Sequence, residues 1–179
     1  MAFDVFSLVE AFWLILPAYA ANGLIPLARG KTPLDFGKQF GGRPLFGTGK
    51  TWKGSAFGIV VAVAIALLEM YMMPLLPFNL SPVPLVLVPM GVLTGLLLGL
   101  GTVIGDLVGS FIKRRIGIER GKAAPLLDQL DFVIGAFAFL AIIHPIKLEW
   151  VVFLLIITPV IHLAANAIGY YMGDKKVPY

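Results

Sequence analysis

Read for hydrophobic and polar positions, the chain alternates long apolar runs with short charged stretches. Five runs approach the roughly 20 residues a helix needs to cross a hydrocarbon core about 30 Å thick. They cover about 6–28, 54–76, 85–112, 130–146 and 149–172, and each predicts a membrane-spanning helix. The resulting expectation is an all-α integral membrane protein with about five transmembrane helices, forming a single polytopic domain over residues 1–179. The first run carries Asp4 and Glu10 and no basic segment before it, so it reads as a retained span and not as a cleaved signal peptide.

Composition agrees with this pattern. Hydrophobic residues make up 59% of the chain and charged residues 13%, and the mean hydropathy is +0.92, so the apolar surface must face something other than water. There is no cysteine, which excludes a disulfide framework, a thiolate metal site and a cysteine nucleophile.

The basic residues are unevenly placed. Arg29, Lys31, Lys38, Arg43, Lys50 and Lys53 fall between the first two runs, Lys113, Arg114, Arg115, Arg120 and Lys122 follow the third, and Lys175 and Lys176 lie in the tail. Only Lys147 belongs to the other side, next to the uncharged connection MMPLLPFNLSPVP. The positive-inside rule therefore predicts an outer N-terminus, a cytosolic C-terminus and two charged cytosolic loops, at about 29–53 and 113–129. Trp13, Trp52 and Trp150 are expected in the aromatic belts at the interfaces.

The third run is rich in glycine. Gly91, Gly95 and Gly99 form one series at four-residue spacing, and Gly101, Gly105 and Gly109 form a second; such spacing lets helix backbones approach closely in lipid. No internal repeat of convincing length is present.

Chemistry concentrates in 105–132, GDLVGSFIKRRIGIERGKAAPLLDQLDF. Asp106, Ser110, Lys113 and Arg114 fall at i, i+4, i+7 and i+8 and share one stripe of a helix. Asp128 and Asp131, at i and i+3, share a face at the start of the fourth run. Three carboxylates facing a basic cluster are the residue set that holds a divalent metal and polyphosphate together. Helix-capping acids and a solvated interfacial basic cluster fit the same spacing, because an aspartate at a helix N-terminus is favoured by the dipole. The stretch GRPLFGTGKTWKGS resembles a phosphate-binding loop but fails the template, which requires glycine where the chain has Pro44. Lys50, Thr51 and Lys53 beside a helix N-terminus can still present amides and ammonium groups to an anion; the alternative is a basic loop that attracts anionic lipid headgroups. His162 in the fifth run reads as a polar side chain satisfied by a neighbouring helix in preference to a catalytic base; Asn22 and Asn166 sit in similar settings, AANG and AANAIG, and Glu69 has no evident role.

GDLVGSFIKRR followed by LLDQLDF resembles the signature of the CTP-dependent phosphatidate cytidylyltransferases, and GKTWKG resembles their K-T-W-x-G element. The short length, TPLDFGK and HLAANAIGYYMGDKKVPY are most similar to the archaeal branch, the CDP-archaeol synthases, and the resemblance covers nearly the whole chain. Gln129 stands where the bacterial pattern has arginine, and AAPLL replaces the bacterial Pro-Gly-His-Gly-Gly loop, so no histidine role carries over.

The resemblance implies Mg²⁺-dependent transfer of CMP from CTP to an isoprenoid glycerol-ether phosphate, at a multi-pass cell-membrane site facing the cytosol. It implies Asp106, Asp128 and Asp131 as metal ligands, Lys113 and Arg114 on phosphates, and Lys50, Thr51 and Lys53 on CTP. Ser110, Lys122 and Asn166 follow as further nucleotide-contacting candidates. The expected partners are CTP, the ether-lipid phosphate and membrane lipids, with no nucleic acid. A small ion or solute transporter is the alternative, since intramembrane Asp, His and Asn also suit a translocation path.

Overall fold

The computed structural model describes residues 5–77 and 81–171, the side chains of Asn166 and Gly169 excepted. It has five helices: α1 Val5–Leu24, α2 Trp52–Met72, α3 Val92–Arg115, α4 Leu127–Leu140 and α5 Leu148–Tyr171. Short 3₁₀ turns at Ile25–Ala28 and Met73–Leu75 extend α1 and α2. Counting these turns, the segments Val5–Ala28, Trp52–Leu75, Val92–Arg115 and Leu148–Ala165 are long and apolar enough to cross a membrane.

The fourth and third expected spans need correction. α4 has 14 residues, so it is about 21 Å long and falls short of a bilayer core. It starts after Leu126, which has positive φ, and gives way at Ala141 to turns that run to Pro145, where the sequence pattern predicted helix to 146. The sequence pattern begins the third span at residue 85, but residues 85–90 form no helix and α3 begins only after Gly91.

α3 is central because of its glycines. A Cβ added at Gly95 would lie 2.8 Å from Ala66 Cβ, and one at Gly99 3.0 Å from Ile59 Cα, so this series seats α2. The other series seats α4: the same construction puts Gly101 2.8 Å from Ala136 Cα and Gly105 2.9 Å from the Asp131 carbonyl carbon. Gly135 on α4 returns the contact, 2.8 Å from Gly105 Cα. Without a hydrophobic drive between helices in lipid, this close backbone approach supplies the association through dispersion. The core between α1, α3, α4 and α5 is filled by Leu14, Ile15, Leu98, Phe132, Val133, Leu140 and Leu154.

The two ends of the bundle differ. At one end Glu10, nearly fully buried, accepts from Lys147 Nζ at 2.6 Å, Trp150 Nε1 at 2.9 Å and the Val86 amide at 2.5 Å. Trp150 is buried at this end of the bundle, its indole N–H donating to Glu10. Trp52, 53% exposed and packed on Phe36, does sit at a bundle edge. At the other end the loop between α1 and α2 folds over the α3–α4 connection. Its hairpin pairs β1 (Gln39–Phe40) with β2 (Arg43–Pro44), in the register Gln39 with Pro44 and Phe40 with Arg43.

Candidate functional site: a charged cavity at one end of the bundle

Asp35 shapes the loop that covers α3. Its carboxylate accepts from the amides of Gly37 at 2.9 Å and of Phe46 and Gly47 at 3.0 Å each. Burial pushes its pKa up, but the three amide hydrogen bonds outweigh that and hold it below the usual carboxylate range. The Asp35-Phe36-Gly37 Asx-turn, with Gly37 and Gly47 at φ +77° and +92°, directs the chain back toward α2. Thr51 then caps α2, its hydroxyl accepting from the Gly54 amide at 3.1 Å.

A reciprocal arginine pair fixes the hairpin to the end of α3. Arg43 Nη1 donates to the carbonyls of Arg114 at 3.1 Å and Arg115 at 2.8 Å. Arg115 donates back to the carbonyls of Phe40, Arg43 and Pro44, and its guanidinium lies over the rings of Phe40 and Phe111. Carbonyls left open at a helix C-terminus are the acceptors that cations prefer.

Beneath this cover a cavity of about 170 Å³ brings together Lys50, Asp106, Ser110, Lys113, Arg114 and Asp128. Lys50 Nζ stands 2.6 Å from both carboxylate oxygens of Asp106, and Lys113 Nζ stands 2.7 and 2.9 Å from those of Asp128. Asp128 also accepts from the Ala124 amide at 2.8 Å, which holds the loop ahead of α4. Arg114 and Arg120 also line an adjoining cavity of about 420 Å³, together with Arg43 and Thr48. Arg120 donates to the Thr48 hydroxyl, so this cavity too joins the first loop to the second.

Asp131 lies one turn further along α4. Its side chain packs over Gly109, where an added Cβ would fall 2.8 Å from Cγ, and its Oδ1 accepts from the Phe132 amide at 2.6 Å. It is coupled electrostatically to Asp106, Lys50 and Asp128. Among the described residues no group of three acidic or imidazole side chains stands close enough to hold a metal ion, because lysines engage Asp106 and Asp128 while Asp131 turns toward α3.

Other expected residues stand apart from the cavity. Thr51 is buried as a helix cap, Lys53 is exposed on the first turn of α2, and Lys122 is exposed in the second loop. The side chain of Asn166 lies outside the described residues. Sequence reasoning missed Asp35, Arg43 and Arg120 as site-forming residues. Asp35 carried a usable signal in its Asx-turn spacing to Gly37; Arg43 and Arg120 carried none beyond their charge.

Four helices of membrane-spanning length and apolarity, with a charged cavity lined by acid–base pairs at one bundle end, define a multi-pass membrane protein. Comparison makes the assignment narrower. Residues 4–179 match the CarS-like CDP-archaeol synthase family model. CDP-archaeol synthase from Pyrococcus horikoshii is 44% identical over 174 residues, covering 97% of this chain and 98% of that protein. The Methanocaldococcus jannaschii CDP-archaeol synthase is 45% identical over 172 residues, covering 95% and 96%. A solved structure of an intramembrane enzyme for archaeal membrane lipid biosynthesis superposes with a TM-score of 0.75 at 36% identity, covering 88% of this chain and 93% of that one. The chain belongs to the CarS-like CDP-archaeol synthase family and is an enzyme.

Proposed function

We propose that this protein transfers CMP from CTP to the phosphate of an isoprenoid glycerol-ether lipid, forming CDP-archaeol and releasing pyrophosphate. The carrying observation is the cavity in which Lys50 of the first loop meets Asp106 of α3 and Lys113 meets Asp128 of α4, in a chain of the CDP-archaeol synthase family. In the reaction a lipid phosphate oxygen bonds to the α-phosphorus of CTP as the bond to the bridging oxygen of pyrophosphate breaks. A phosphate monoester has a second pKa near 6, so the nucleophile is mostly dianionic at neutral pH and no strong base is needed. Catalysis is then a matter of positioning and charge neutralisation.

Lys113, Arg114 and Arg120 are suited to the triphosphate, since guanidinium groups bind phosphate in a fork and ammonium groups act as point charges. Lys50, with Ser110 beside it, closes the nucleotide side. Thr51 and Lys53 act from the cap of α2, and Lys122 and Asn166 from the periphery.

Asp106, Asp128 and Asp131 are the proposed Mg²⁺ ligands. Their all-oxygen donor chemistry fits the ion, which would take the places that the ammonium groups of Lys50 and Lys113 now hold on two of the carboxylates, with the three side chains drawing together around it. Bound there, Mg²⁺ supplies neutralisation of phosphate charge. Eleven basic residues of the two loops at one end support a cytosolic site by the positive-inside rule. The transporter alternative is set aside, since the charged cavity is terminal and the relatives are synthases.

Purified protein in detergent, given labelled CTP, Mg²⁺ and a dialkyl glycerol phosphate, is expected to yield CDP-lipid and pyrophosphate. Absence of CDP-lipid with wild-type protein and Mg²⁺ would overturn the assignment.

A further inference from the structure

A further recess lies on the other flank of α4. A groove of about 400 Å³ between α1, α4 and α5 is lined by Tyr19, Asn22, Gly23, Phe132, Thr158 and His162, among others. It belongs to the same end of the bundle as the charged cavity: α1 approaches the first loop there, α4 leaves the second, and α5 contributes its C-terminal half.

Its walls are of two kinds. Tyr19 and Asn22 at i, i+3 and Thr158 and His162 at i, i+4 set two short polar rows into otherwise apolar membrane helices. Polar side chains set into membrane-length apolar helices are costly and mark sites. Tyr19 Oη and Thr158 Oγ1, 2.7 Å apart, join α1 to α5, and the Tyr19 ring packs on Phe132 with centroids 5.7 Å apart. The rest of the lining is hydrocarbon, and α5 continues outward with Val160 and Leu163 exposed. At Gly23 an added Cβ meets no atom within 4 Å, so the groove is open at that point.

Phe132 is the link to the chemistry. It forms groove wall while its amide donates to Asp131 Oδ1 at 2.6 Å, so the groove and the acid cluster share one turn of α4.

We propose that this groove binds the lipid acceptor, a two-chain glycerol ether phosphate. Its chains lie against Phe132 and Ile161, and its oxygens accept from Asn22. Ether and ionised phosphate oxygens can only accept, and an amide NH₂ is a donor that meets that need. The apolar walls take chains that never leave the bilayer, and the headgroup is delivered to the turn that carries Asp131. This assignment rests on the reading of the chain as a lipid-phosphate cytidylyltransferase.

The test is steady-state kinetics in mixed micelles with dialkyl glycerol phosphate, together with equilibrium binding of CTP. Gly23→Leu, whose Cβ meets no atom within 4 Å, puts bulk into the groove, and Asn22→Ala removes a donor while leaving the groove open. In each, the KM for the lipid is expected to rise about 10-fold while the KM and Kd for CTP stay within about 2-fold of wild type. An unchanged lipid KM in a Gly23→Leu protein that melts as wild type does would overturn the assignment. So would an equal rise in both KM values, or retained lipid KM in Asn22→Ala if Gly23→Leu fails to fold. Wild-type protein that makes no CDP-lipid would instead overturn the cytidylyltransferase reading itself.

Discussion

Lys50 and Asp106 are separated by 56 residues and meet with the ammonium nitrogen 2.6 Å from both carboxylate oxygens. The contact ties the loop covering the cavity to the central helix beneath it. Both side chains keep some exposure to solvent, so the pair adds no more than about 1 kcal/mol to stability. Lys50→Met is therefore expected to melt close to wild type while its kcat/KM for CDP-lipid formation falls about 100-fold or more. Thermal melts in detergent and the CTP assay, run on the same preparation, check both parts.

Asp131→Asn keeps the shape of a side chain packed over Gly109 and removes its charge. Turnover is expected to collapse with little loss of folded protein. Chelation of divalent ions should abolish turnover in wild type, and added Mg²⁺ should restore it. Retained turnover in Asp131→Asn removes this residue from the proposed metal set.

Gly105→Leu is expected to destabilise the bundle by about 1–3 kcal/mol or more, since even its Cβ would lie 2.9 Å from the Asp131 carbonyl carbon. Gly23→Ala, whose Cβ meets nothing, should melt within about 0.5 kcal/mol of wild type. Equal melting of the two variants would contradict the close packing of α3 on α4.

Asp35 predicts an acid limit. Its folded pKa is lower than its unfolded value, so its contribution is fully present above the ordinary carboxylate value near 4 and is lost as pH falls through the depressed folded value. The stability difference between wild type and Asp35→Asn should be constant from about pH 7 to pH 5 and shrink with further acidification. Melting curves of both proteins across that range measure it.

Trp150→Phe removes the indole donor to buried Glu10 and leaves Lys147 and Val86 in place. A loss of about 1–3 kcal/mol is expected, with the KM for CTP unchanged because the contact sits at the end of the bundle opposite the charged cavity. A changed CTP KM would indicate coupling between the two ends.

Much of the site was legible from spacing. Asp106, Ser110, Lys113 and Arg114 share a stripe because helical periodicity puts them there, and α3 is long enough and free enough of breakers to keep that periodicity. The two glycine series marked close-packing positions for the same reason, while the helix that each one receives came from the structure. α4 was misjudged because its apolar run continues past the point where the helix ends: Ala141–His144 are hydrophobic enough to extend a span, yet they turn ahead of Pro145.

What the sequence determined by itself is what hydropathy, helical period and charge asymmetry encode: membrane residence, helices near the observed places, and one charged end. These are local properties, read along a single helix or loop. Only the tertiary structure decided that Lys50 reaches Asp106, that Asp35 gathers the amides of Phe46 and Gly47, and that Arg43 and Arg115 lock the hairpin to α3. Those contacts span 11 to 72 residues. They depend on loop paths set by individual φ values and on how closely glycine lets α3 meet its neighbours, neither of which leaves a periodic trace in the chain.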